Sequence, residues 1–324
     1  MDVFISSAIE FGVIFLFGCV GEILTEKSGH LNLGIPGIMC VGAAGGCFGA
    51  KLCLAGSDPN GVLTVLVSVL FAMIFAGALG GIYGFLTVSL RCNQNVTGLA
   101  CTIFGVGFTS FFLNSVVLTE GVSAKLSLAG LHYFNAHIPG ADSLGWFGAI
   151  FLRHGVLVYL ALVIAVLAAL MLRYTKVGLH LRAVGENPAT ADAVGINVTR
   201  YKYTFILAGA AIAGLGGLCY VMGYMGGIVG STVDQTIQGI GWLSIALVIF
   251  TMWKPALAII GSILFGALYI LSSRITGISF EQIQLLNLIP YVVTIIVLIA
   301  TSIAGRRETQ PPTSLGLSYF REDR

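Results

Sequence analysis

Apolar residues fall in long, nearly unbroken blocks along this chain. Each block approaches the ~20 positions that a helix rising ~1.5 Å per residue needs to cross a bilayer. The pattern predicts nine spans, at about 4–24, 38–56, 62–90, 96–118, 155–173, 203–226, 241–253, 256–273 and 286–304. The third is long enough to tilt, and the seventh reads as a short, partial span. The blocks do not alternate polar and apolar residues, which excludes an outer-membrane barrel. The first block follows Asp2 without a basic run and is too long for a cleaved signal, so it is expected to stay in the membrane. The expected fold is all-α: a polytopic membrane bundle of about nine helices.

Two stretches break the pattern. One is 26–37, EKSGHLNLGIPG, and the other is 226–241, GGIVGSTVDQTIQGIG. Nine spans place the termini on opposite sides of the bilayer. With the C-terminus inside, only Lys51, Lys125, Arg153 and Arg274 of the sixteen basic residues lie outside. The positive-inside rule therefore predicts an outer N-terminus and an inner C-terminus. In that topology the first and sixth spans run in opposite directions, so the two interrupted units are related by inversion. Inverted repeats with broken helices are how many transporters build a path for solute. The alternative is that both stretches are plain surface loops.

Composition narrows the class. Only 9% of the 324 residues are charged, against about 25% in soluble domains, while 57% are hydrophobic and mean hydropathy is +0.96. A soluble enzyme and a disordered chain are excluded, and a net charge of +2 is too small for a nucleic-acid-binding surface. The seven cysteines show no metal-ligand spacing and read as small buried thiols. A membrane-embedded enzyme would need a nucleophile or metal cluster within the spans, yet His30, His132, His137, His154 and His180 all fall in expected loops. Glu10 and Glu22 are the acidic residues expected within spans. So few embedded carboxylates argue against an ion-coupled carrier, which would move solute unaided.

The 174–202 loop, YTKVGLHLRAVGENPATADAVGINVTRYK, carries strong local signals. Asn187 is a good N-cap, Pro188 suits the first helical position and Gly195 supplies a left-handed terminator. The run between them predicts a helix of about two turns outside the membrane. A helix so short needs a partner surface, either its own bundle or another protein.

Here the chain resembles a known family, the permease subunits of bacterial ATP-binding-cassette (ABC) importers of the ribose/nucleoside, branched-chain type. Matching residues in the loop are Gly178, Arg182, Ala183, Gly185, Asn187, Ala191, Gly195 and Ile196. Ser28, Gly29, Asn32 and Gly34 meet an SG-x-x-N-x-G pattern, Arg91, Asn93 and Gln94 match a polar cluster, and IALVIFTMWKP from Ile245 to Pro255 looks like a further signature. The resemblance covers about 8–305 and is closest to the short nucleoside-type permease. Pro36 and Thr251 depart from it, standing where an acidic residue and a glycine are common.

The resemblance implies a transmembrane permease domain over 1–304, with a cytoplasmic coupling loop at 174–202 and a polar cytoplasmic tail at 305–324. It implies three partners in a bacterial plasma membrane: a second, related permease subunit, a cytoplasmic ABC ATPase that uses ATP and Mg, and an extracytoplasmic solute-binding protein. The chain lacks a GxxxxGK[ST] phosphate loop, so it is expected to be neither an enzyme nor a holder of a cofactor or metal. Arg182, Gly185, Glu186, Asn187, Pro188, Ala191 and Gly195 are the expected ATPase-coupling residues. For the path, Asn32, Gln235 and Gln238 of the interrupted stretches can hydrogen-bond a solute. Phe104 and Phe108, four apart on one span, share a face that could stack a base or simply meet lipid. Asn114 serves either the path or a neighbouring helix. Nucleosides are the expected cargo, with a pentose as the alternative.

Overall fold

The computed structural model describes residues 2–56, 59–119, 121–137, 145–275, 279–304 and 310–320. Among these residues the fold is helical, with no strand. The longer helices are α1 (Asp2–Lys27), α2 (Ile35–Leu54), α3 (Gly61–Gly84), α4 (Gln94–Phe112), α7 (Val156–Tyr174), α10 (Val198–Leu218), α11 (Val233–Phe250), α12 (Pro255–Arg274) and α14 (Ile289–Ala304). Shorter ones are α5 (Val122–Ala129), α6 (Gly145–Phe151), α8 (Lys176–Glu186), α9 (Pro188–Ala193) and α13 (Phe280–Asn287). Wider π-helical turns end four helices, at Phe85–Ser89, Leu113–Val117, Gly130–Phe134 and Cys219–Tyr224.

Nine segments among the described residues are long and apolar enough to cross a membrane, and they fall where the apolar blocks do. The seventh is the exception. It is no fragment: the helix runs Val233–Phe250, eighteen residues, and begins well before the expected 241. Its first two turns carry Asp234, Gln235 and Gln238, which lower the hydropathy without interrupting the backbone. The break between α10 and α11 is correspondingly short, and Gln235 and Gln238 are helical residues.

The centre of the bundle is α1, α2 and α10, where glycines let backbones touch. A Cβ at Gly21 would run into the Gly209 carbonyl, and one at Gly42 would meet the backbone of Gly214. Without a hydrophobic drive inside lipid, such close van der Waals packing is what joins helices. Around this core, α3 packs on α2 and α10, α12 on α1, and α11 on both α1 and α2. The 119–154 region, expected to be one loop, is structured where described. Its α5 and following turn are pinned by Lys125 Nζ donating to the Leu54 carbonyl at 3.2 Å and Asn135 Nδ2 donating to Gly223 at 2.8 Å.

Candidate functional site

The chain leaves α1 at Lys27 and re-enters the bundle at Ile35, and the residues between are held almost wholly by backbone bonds to neighbours. Gly29 turns the chain at φ +86°, a conformation that a Cβ penalises. Gln94 Oε1 accepts from Leu31 N at 2.8 Å, Tyr83 donates its hydroxyl to the Leu31 carbonyl at 2.7 Å, and Thr102 donates to the Leu33 carbonyl at 2.8 Å. The break is thus buried in protein, which is one way irregular backbone survives at membrane depth.

Asn32 sits at the centre of this segment and is fully buried. Its backbone N donates to Glu22 Oε1 at 3.0 Å, and its side-chain Oδ1 accepts from Gly34 N at 2.9 Å. Three buried atoms around it have no partner: Asn32 Nδ2, Glu22 Oε2 and Gln94 Nε2. Buried polar groups are rarely left so, and this set mixes donors with an acceptor. One helical turn below Glu22, Glu26 is also buried and accepts from the Trp253 indole N–H. Trp253 and Met252 both lie at φ +53°, a strained conformation for residues with a Cβ.

Sequence reasoning missed Glu26 and Trp253. Glu26 read as part of a polar loop, although its spacing of four from Glu22 puts both on one face of α1. Trp253 stood within a quoted signature run without an assigned partner. Glu10 pairs with His154, Nδ1 to Oε1 at 3.3 Å, and His154 Nε2 lies 2.7 Å from the Ile150 carbonyl. That histidine is buried beside α7 rather than displayed in a loop.

The other path candidates divide. Phe104 and Phe108 stack at 5.9 Å between centroids, and Phe108 stacks on Phe112 at 5.2 Å. This ladder flanks an apolar cavity of about 300 Å³ that it shares with Phe75 and Val41. Phe104 remains 57% exposed, so its ring faces out of the chain toward lipid or another subunit. Asn114 is exposed in the π turn after α4 and donates to the Ser110 carbonyl at 2.8 Å, a bond within its own helix and not to a neighbour. Gln235 is exposed and Gln238 half-buried on α11, and neither is hydrogen-bonded to Asn32. Asn32, the phenylalanine ladder and the two glutamines therefore do not form one pocket in this conformation. At the departures from the family pattern, Pro36 packs against Gly241, and Thr251 donates to the Leu247 carbonyl at 2.9 Å.

On another face, the helix expected between Asn187 and Gly195 forms as α9, and a further helix, α8, which was not expected in 174–202, precedes it. Asn187 Oδ1 accepts from Thr190 N at 3.0 Å, and Pro188 opens α9. Gly195 closes it at φ +87°, with Gly195 N donating to Asp192 O and Ile196 N to Ala191 O, both at 3.0 Å. These two bonds are a Schellman cap. Ala191 is buried with Val184 and Val198 in a small apolar cluster that Ala183, Ile196, Tyr201 and Tyr319 partly cover. Gly185 lies against the Lys27 carbonyl, where no side chain would fit, and Arg182 Nε reaches back to Gly178 O at 3.4 Å.

The 310–320 segment of the expected polar tail packs here. Ser314 N and Oγ both donate to the Gly185 carbonyl, at 3.1 and 2.5 Å. Thr313 Oγ1 donates to Glu186 at 2.6 Å, Gly316 N to Gly29 O at 3.2 Å, and Tyr319 to Asp192 at 2.9 Å. The segment thereby bridges the first broken stretch and the α8–α9 pair.

A multi-pass bundle with broken helix entries and a capped short helix pair on one face defines a membrane transport subunit. The chain belongs to the branched-chain amino acid transport system / permease component family, whose model matches residues 4–300. It is similar to the nucleoside ABC transporter permease protein NupC of Lactococcus lactis, 31% identical with 92% of each chain covered. It is also similar to the guanosine ABC transporter permease protein NupQ of Bacillus subtilis, 27% identical over 100% of this chain and 98% of that one. NupB, a second nucleoside ABC transporter permease protein of L. lactis, is 24% identical over 75% of this chain and 65% of its own length. Among solved structures, an inward-facing metal-chelate-type ABC transporter superposes with TM-score 0.50 at 12% identity, covering 91% of this chain and 85% of that one, which shows a shared fold. The chain is a multi-pass plasma-membrane permease component of an ABC transporter.

Proposed function

We propose that this chain forms part of the translocation path of a nucleoside importer whose energy comes from a separate ATPase subunit. The observation that carries the reading is the end-to-end similarity to NupC and NupQ, whose names give nucleosides and guanosine as their cargo. The α8–α9 geometry supports the coupling half of the reading. A helix of six residues, capped at both ends and anchored through Ala191 in a small apolar cluster, is too short to stand alone. It suits a lever gripped from outside by a second protein. In this reading Arg182, Gly185, Glu186, Asn187, Pro188, Ala191 and Gly195 transmit the ATPase stroke, and ATP and Mg are bound by the ATPase alone. The N-terminus lies outside the cell and the α8–α9 face inside, and the interrupted units at α1–α2 and α10–α11 are inverted counterparts.

NupC and NupB are two permeases of one organism, which supports pairing of this chain with a second, related subunit. A solute-binding protein outside the cell completes the assembly. The permease does no covalent chemistry; the solute's differential affinity for inward and outward states carries the coupling. Asn32 is the first path residue of this proposal, because its free Nδ2 has neighbours able to rearrange around a ligand, with Phe104, Phe108, Asn114, Gln235 and Gln238 joining it only in another conformation or across the subunit pair.

The test is uptake of labelled guanosine into proteoliposomes carrying the chain, its permease partner and the ATPase, with binding protein inside the lumen or outside. ATP-dependent uptake that Asn32→Leu reduces, with ATPase docking intact, supports the reading. Uptake by this chain alone under an ion gradient overturns it in favour of a secondary carrier.

A further inference from the structure

Beside the start of α10 lies a cavity of about 600 Å³ that borders the end of α9 at Asp192 and Gly195 and holds none of the proposed path residues. Six of its lining residues matter: His30, Arg91, Asp192, Arg200, Lys202 and Tyr319. Three are cations and one is a carboxylate, and that carboxylate already accepts the Tyr319 hydroxyl at 2.9 Å. We propose that this cavity is a binding site for a phosphate-bearing anion, walled on one side by the 310–320 segment.

Four observations of the site converge. Lys202 is only 4% exposed and has neither an ion pair nor a side-chain hydrogen bond among the described residues. A lysine this deeply set carries a desolvation cost that an anion in the cavity would offset. His30 is 1% exposed, and its Nδ1 has no partner. Burial and the neighbouring Lys202 hold that imidazole far below its usual range, at about 3, so it is neutral. The 21-residue α10 begins here, and its Val198 and Thr199 N–H groups make no hydrogen bond among the described residues, while the Asn197 side chain caps Arg200 N. Free N–H groups at a long helix's start favour an anion. Finally, Arg91 stands at φ +57°, with its guanidinium 4.5 Å from the Phe320 ring centroid. The tail therefore holds a strained arginine at the rim.

The size fits a small phosphorylated molecule. Lys202 and His30 are both deeply buried, which suits a compact anion better than the carboxylate of a docked protein. A phosphoryl group reaches such a site from two sources, a soluble phosphate or nucleotide, or the headgroup of an anionic phospholipid. An occupant would tie α10, the α3–α4 connection and the tail together, three elements that border α9. This binding claim does not depend on the cargo or orientation proposed above.

The test uses the full chain purified in detergent, with the soluble probes AMP and inorganic phosphate titrated calorimetrically at constant ionic strength against chloride. A second arm places the chain in nanodiscs of phosphatidylcholine with or without phosphatidylglycerol, and mass spectrometry reads the lipid retained. Arg200→Gln is an exposed change that leaves packing intact, and Lys202→Met empties the buried charge. Saturable AMP or phosphate binding that weakens at least ~tenfold in both variants, as loss of a charge-assisted contact predicts, supports a soluble ligand. Selective retention of phosphatidylglycerol that both variants lose supports the lipid source. Binding of neither class by the wild type, or binding that both variants retain in full, overturns the site.

Discussion

Replacing Gly195 by Val isolates the backbone requirement of α9. Gly195 sits at φ +87°, yet a Cβ built there meets nothing within 4 Å. A side chain is therefore opposed by conformation alone and not by a clash. An L-residue in the left-handed region costs about 1–2 kcal/mol, with β-branched residues disfavoured most. That corresponds to a shift of about 5- to 30-fold in the equilibrium between formed and unformed cap. With six residues and one buried side chain, Ala191, α9 has little else to absorb the loss. Asparagine tolerates the same conformation better, so Gly195→Asn should retain most coupling while Gly195→Val loses it. The assay is ATP hydrolysis and guanosine uptake by the reconstituted complex, measured on the same preparation. The valine variant should hydrolyse ATP with uptake reduced several-fold per ATP. Equal behaviour of the two variants, or normal uptake by the valine variant, would refute the argument.

Other substitutions read other parts of the bundle. Trp253→Phe removes the indole donor from buried Glu26 and should cost about 1–3 kcal/mol, visible as an earlier loss of monodisperse protein on heating; in a Glu26→Leu background the same change should cost much less. Gly209→Leu forces α10 off α1 at Gly21 and Thr25 and should cost at least about 1–3 kcal/mol, read as lower yield of monodisperse chain. Asn187→Ala deletes the α9 N-cap, about 1 kcal/mol, and should lower uptake less than Gly195→Val does. For His30, the unfolded chain takes up a proton near pH 6.5 but the folded chain only near 3. Stability should therefore be intact above pH 6.5 and fall as pH drops through that window, and His30→Gln in phosphate-free buffer should flatten the fall; identical acid profiles would contradict the burial argument.

The spans were legible because twenty apolar residues in lipid have one structural solution. The α9 cap was legible too, since Asn187, Pro188 and Gly195 act through local backbone chemistry. The start of α11 was not, because hydropathy penalises Asp234, Gln235 and Gln238 while the helix needs only their backbone. Glu26 escaped for a similar reason: a carboxylate at a span's end reads as solvated until Trp253, far along the chain, is seen to cover it. The tail's docking was hidden most completely. Two of its bonds, Ser314 N to Gly185 O and Gly316 N to Gly29 O, join backbone to backbone and leave no mark on residue type. The proposed path residues are the least readable set, since Asn32 and the Phe104–Phe108 ladder sit apart and a transporter's sequence encodes more than one arrangement.

The stitching of residues 313–316 to Gly185, Glu186 and Gly29 bears on how this permease is handled at the bench. A fluorescent protein or purification handle joined after Phe320 would hang over α8 and α9, where the ATPase is proposed to grip. Loss of transport in such a fusion would report obstruction by the handle, and a handle at the opposite end of the chain avoids the confusion.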